Sequence, residues 1–155
     1  ALPTSRHWFV VGKFLVCLAW WVALVAAVLA EAMAVGLALG LPGLTASVAW
    51  GAIGRALLAA GISFLIVPPI AWAAVRGQGY MAPIGFALAT MALGNLFGHT
   101  GWAEWFPWSI VPLLVGMVSD PLQSLPAGSY VVVALTFAGG MAATISELRR
   151  SDNTQ

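Results

Sequence analysis

Long apolar runs separated by Gly- and Pro-rich turns organise this chain. Residues 14–41 hold a single charge, Glu31, and residues 56–75, 77–103 and 121–146 hold none. A helix needs about 20 apolar residues to cross the hydrocarbon core of a bilayer, and each run supplies them. Lipid offers no water to a free N–H or C=O, so a spanning segment is a helix or part of a closed barrel. Barrel strands alternate apolar and polar residues, and stretches such as Leu15–Leu29 do not. The predicted fold class is therefore all-α, a polytopic transmembrane helical bundle. Spans are expected near 12–36, 51–75, 81–98 and 129–147, in one membrane domain covering 1–155. Turn signals separate them: Gly40-Leu41-Pro42-Gly43, Arg76-Gly77-Gln78-Gly79, Gly98-His99-Thr100-Gly101, and Asp120-Pro121 through Ala127-Gly128.

The segment 102–119 fits this scheme least well. It contains Glu104, Pro107 and Pro112, and interior prolines remove helix hydrogen bonds and kink the axis. Trp102, Trp105 and Trp108 recur at every third position, a spacing that stacks them along one helical face. Tryptophan favours the headgroup boundary. The segment is expected to be re-entrant or interfacial, not a full crossing.

Charge placement supports four crossings. They put the amino end, the Arg76 turn and the carboxyl end on one side, with Arg6, Lys13, Arg76, Arg149 and Arg150. The opposite loops, 37–50 and 99–128, hold no Lys or Arg. The positive-inside rule then places both termini in the cytoplasm of a multi-pass plasma-membrane protein. A fifth crossing at 102–119 would move Arg149 and Arg150 outside and spoil the asymmetry.

Composition agrees with lipid as the solvent: 61% of residues are hydrophobic and 7% are charged, against about 25% charged in soluble domains. The net charge of +1 offers no basic surface for nucleic acid. Cys17 is the single cysteine, which excludes an intramolecular disulfide. The first apolar run is far longer than the ~7–15 residues of a signal-peptide core, so it reads as a mature span. A first residue of Ala1 instead of Met suggests numbering that begins inside a longer chain.

Little in the sequence carries covalent chemistry. It has no GxxxxGK[ST] phosphate-binding loop, HExxH, CxxC or GxSxG, so any ATP hydrolysis belongs to another chain. His99 and Glu104 share a loop, but two groups are too few for a metal site, and no cofactor is expected. Glu31 and Arg55 are the informative charges, since charges in a bilayer need a partner or a watery cavity. Glu31 lies roughly 27 Å along a helix from Lys13, and Arg55 roughly 32 Å before Arg76. Both therefore fall near the outer boundary, where they either form an intramembrane ion pair or snorkel separately. Pro68-Pro69 must bend or break the second span, as a static kink or as a broken helix lining a path. Small residues recur at four-residue spacing at Gly36 and Gly40, at Ala52, Ala56 and Ala60, and at Gly94 and Gly98, which favours close helix approach.

The run LPTSR at 2–6, followed by VVGKFLV at 10–16, resembles the start of a span in ABC-2-type transporter permeases. FLIVPPIAWAAVRGQGYMAPIGFAL at 64–88 and GWAEWFPWSIVP at 101–112 are similar to the bacitracin-export-like branch of that family. The resemblance implies a six-span permease that pairs with a second permease copy as a dimer, sits among membrane lipids and is driven by cytoplasmic ATPase subunits. The four spans here would be its last four. By the same resemblance, Leu2, Pro3, Thr4, Ser5 and Arg6, within a segment 1–11, form a cytoplasmic coupling element. Trp102, Glu104, Trp105, Phe106, Pro107 and Trp108 form an outer gate or, on residue type alone, an aromatic anchor.

The expected function is that of a transmembrane permease subunit of an ATP-driven exporter. An apolar interior suits an amphipathic or lipid-like cargo. The resemblance adds a small antimicrobial peptide, and hence antibiotic resistance, as one case. A non-transporting structural subunit of a larger membrane complex would need the same helices and is the rival class. An intramembrane enzyme is a third class, disfavoured by the lack of an adequate catalytic set at membrane depth.

Overall fold

A computed structural model describes residues 6–40, 43, 45–77, 79–118 and 125–150. Every element among them is helical: α1 Arg6–Ala38, α2 Ala46–Leu65, α3 Pro68–Arg76, α4 Met81–Gly98, a 3₁₀ turn Ala103–Trp105, α5 Pro107–Leu114 and α6 Ala127–Arg150. Four stretches are long and apolar enough to cross a membrane: Val10–Ala38, Ala46–Arg76, Met81–Gly98 and Ala127–Arg150. The fold is thus all-α and polytopic.

The local sequence explains where the helices begin, end and break. α1 stops where Gly40 adopts a left-handed φ of 57°, a conformation that is cheap only without a Cβ. Thr45 stands before α2 and accepts the Val48 N–H at 3.4 Å with its hydroxyl, as a helix N-cap does. The span expected at 51–75 is broken at its prolines into α2 and α3. Pro68 and Pro69 have no N–H to give to the carbonyls four residues earlier. The chain adjusts by tightening: Val67 N–H bonds Phe64 O at 3.2 Å, in a three-residue register. The prolines then occupy the first turn of α3, where a missing N–H does no harm.

The chain divides into two compact units, residues 1–60 and 61–155. In the first, Trp21 Nε1 donates to Ala60 O at 3.1 Å and ties α1 to α2. Ala56 and Ala60 leave room for the indole. A groove of about 280 Å³ runs beside it, floored by Leu24, Val25, Val28 and Leu29. No residue in the most apolar stretch of α1 is fully buried among the described residues, which suits a helix surrounded by lipid or by neighbouring helices.

The second unit contains the deeply buried groups. Ile110, Leu114, Ser109 and Ser129 are almost wholly enclosed. They sit where α5 and the 3₁₀ turn meet the start of α6. Leu113, Ala103 and Leu125 complete this core.

Candidate functional site

The proline break is held from α6. A Cβ on Gly140 would come within 2.6 Å of Pro69 N and Cδ and 2.8 Å of Pro68 C. Only a glycine allows the two backbones to approach this closely. One turn on, Thr144 donates to Gly140 O at 2.8 Å, with Pro68 O 3.4 Å from the same hydroxyl. Thr144 is buried. The site where the second span loses its regular hydrogen bonds is therefore braced by a small-residue face of the last span.

Beyond the break, α3 runs to Arg76, whose guanidinium carbon lies 5.5 Å from the centroid of the Trp72 ring, within cation–π range. The connection to α4 is tight: a Cβ on Gly77 would run into that of Ala82.

A compact cap follows α4. Phe106 is extended, with φ −103° and ψ 117°, because the residue before a proline is pushed out of the helical region. This separates the 3₁₀ turn from α5. Trp102, Trp105 and Trp108 therefore do not line one helical face, contrary to their regular spacing. Trp102 and Trp105 are exposed, while Trp108 is half-buried. Its ring meets Phe86 edge-on at 5.9 Å and Phe106 at 5.6 Å. Its ring N–H is buried without a partner among the described residues.

Hydroxyls stitch the cap together. Ser109 Oγ lies 2.5 Å from Ala103 O and 2.8 Å from Phe106 O. Ser129 of α6 donates to Glu104 O at 2.8 Å. Pro112 cannot donate to Trp108 O within α5. That carbonyl faces Gly94 of α4, where a Cβ would approach it to 2.6 Å. Gly128 makes similar room for the Trp105 ring. Gly116, with φ 75°, turns the chain out of α5. At eight residues, α5 is about 12 Å long, too short to cross the hydrocarbon core.

The remaining expected residues fall as follows. Leu2, Pro3, Thr4 and Ser5 lie outside the described residues, and Arg6 opens α1. Glu31 and Arg55 are both exposed. His99 and Glu104 line one cavity. No group of three or more His, Cys, Asp or Glu side chains is arranged to hold a metal among the described residues. Gly140, Thr144, Ser109, Gly128 and Ser129 escaped the sequence reading. Gly140 and Thr144 form a small-residue pair at four-residue spacing, like Gly94 and Gly98, but so do Gly139 and Ala143.

Long apolar helices with internally satisfied backbones, closely joined through glycine and hydroxyl contacts, define a polytopic α-helical membrane protein. The family profile described as "ABC-2 family transporter protein" matches residues 1–94, more than half of the chain. The chain belongs to that family: it is a transporter permease, of the non-catalytic membrane-subunit type that works with ABC ATPase partners. The match takes in α1 to α3 and most of α4, so the cap and α6 lie beyond it. No curated protein and no solved structure matches the chain.

Proposed function

We propose that this chain is the membrane permease subunit of an ATP-driven exporter of the bacitracin-export-like branch, supplying the last four of six spans and working as a dimer. The family match over residues 1–94, joined to four helices able to cross a bilayer, carries this reading. Both termini lie in the cytoplasm, because every Lys and Arg that flanks a turn or terminus gathers on that side when the chain crosses four times. Leu2 to Arg6 receives the stroke of the partner ATPase. The cap of the 3₁₀ turn and α5 is a re-entrant element on the outer side. Its anchorage to α4 and α6 through Gly94 and Ser129 supports a fixed outer seal.

The cargo is amphipathic or lipid-like, such as an antimicrobial peptide, since spans this poor in charge offer little to a strongly charged solute. The test is purification from native membranes in mild detergent, followed by reconstitution in vesicles. A stoichiometric ATPase should co-purify, and ATP should drive a labelled amphipathic peptide across the bilayer. Purification with a pigment- or redox-bearing complex and no ATPase would overturn the proposal.

A further inference from the structure

The turn after α4 borders an open cavity of about 320 Å³ between α4, the 3₁₀ turn and α5. Leu113 and Val118 form an apolar wall, while Gly98, His99, Thr100 and Glu104 form a polar one. Glu104 is half-buried. Its backbone carbonyl is held by Ser129, which fixes the residue and leaves the carboxylate unpaired among the described residues. From residue 77 to residue 148 the chain has no Lys or Arg. Among the described residues no Lys or Arg is recorded against the carboxylate, and the exposed His99 lines the same cavity. A carboxylate beside an apolar wall favours a positive group over a neutral or negative one.

We propose that this cavity binds the ammonium group of an amphipathic amine, with the charge at Glu104 and the first methylenes along Leu113 and Val118. Its volume is at the lower end for ligand sites. It holds a headgroup and a short length of tail, and it excludes a whole peptide. The exposed indoles of Trp102 and Trp105, 70% and 58% accessible, flank the same turn, and indoles favour headgroup depth. An anionic amphiphile would meet the carboxylate's repulsion and is excluded. The ammonium belongs either to a lipid ethanolamine headgroup or to a free amine. Neither source depends on ATP-driven export, so this inference and the exporter reading stand or fall separately.

The full chain, labelled with 5-fluorotryptophan and held in dodecyl maltoside, is titrated with dodecylammonium. Dodecanol serves as the uncharged control. Fluorine resonances are assigned through Trp102→Phe and Trp105→Phe. Saturable shifts of both are expected with dodecylammonium and not with dodecanol. Glu104→Gln weakens binding about tenfold, the loss expected for one charge-assisted hydrogen bond. Glu104→Asp retains binding within about twofold of the native chain, a figure set by its unchanged charge. Circular dichroism and elution volume confirm that each variant folds. Should the Gln variant misfold, the Asp variant and the dodecanol comparison still decide the matter. Added phosphatidylethanolamine that competes with dodecylammonium identifies the lipid headgroup as an occupant, and lack of competition identifies a free amine. Equal binding of dodecanol, or undiminished binding by a folded Glu104→Gln chain, overturns the proposal.

Discussion

Replacing Gly140 by alanine tests the seam between α3 and α6 against a control supplied by the next residue. A Cβ at Gly140 would lie 2.6 Å from Pro69 N and Cδ, whereas a Cβ at Gly139 would meet nothing within 4 Å. Both substitutions gain the same helix propensity, up to about 1 kcal/mol. Only Gly140→Ala must push the helices apart, by close to an ångström if the new contact is to reach the usual 3.4–4 Å. The atoms in the way belong to backbone and a proline ring, so no side chain can swing aside. Overpacking of this kind costs about 1–3 kcal/mol. Gly140→Ala should therefore be less stable than Gly139→Ala by about 1–3 kcal/mol, since the propensity term cancels between them. The measurement is reversible unfolding in mixed micelles of dodecyl maltoside and SDS, followed by far-UV circular dichroism. If the two variants agree within about 0.5 kcal/mol, the close approach of α6 to the proline break does not exist in the membrane.

Ser109→Ala removes a fully enclosed hydroxyl that bonds two carbonyls. It should cost about 1–3 kcal/mol in the same assay, while Ser146→Ala, at an exposed site, should stay within about 0.5 kcal/mol. The double change Pro68→Ala with Pro69→Ala restores donors for Phe64 O and Leu65 O and straightens the break. Reduced ATP-driven transport at normal expression is expected, and unchanged transport would remove the break from the mechanism. Glu31 and Arg55 are both exposed; if each snorkels separately, Glu31→Arg combined with Arg55→Glu should be as impaired in expression and transport as the worse single variant. Rescue by the double swap would show that they pair.

The spans were legible because the lack of charge over some 20 residues is a one-dimensional property that lipid imposes directly. The split of the second span was legible for a similar reason, since the missing N–H groups of Pro68 and Pro69 act on carbonyls only four residues away. The cap was harder. Three tryptophans at regular spacing suggested one continuous helix face, yet Pro107 forces Phe106 into an extended conformation and ends that continuity. The seams were almost illegible. Ser129 finds its acceptor at Glu104, 25 residues earlier, and Thr144 approaches Pro68 across 76. In a chain with seventeen glycines, nothing local distinguishes Gly140, which touches another backbone, from Gly139, which touches nothing.

Four of the tight approaches among the described residues of the second unit form a circuit. Gly77 joins α3 to α4, Gly94 joins α4 to α5, Gly128 joins the turn before α5 to α6, and Gly140 returns from α6 to α3. A chain of joints that closes on itself has fewer independent motions than the same joints laid end to end. Displacing a helix strains its own contacts and loads the remaining ones. Enlarging two of these glycines at once should therefore depart from the sum of the separate effects, even where the altered residues never touch.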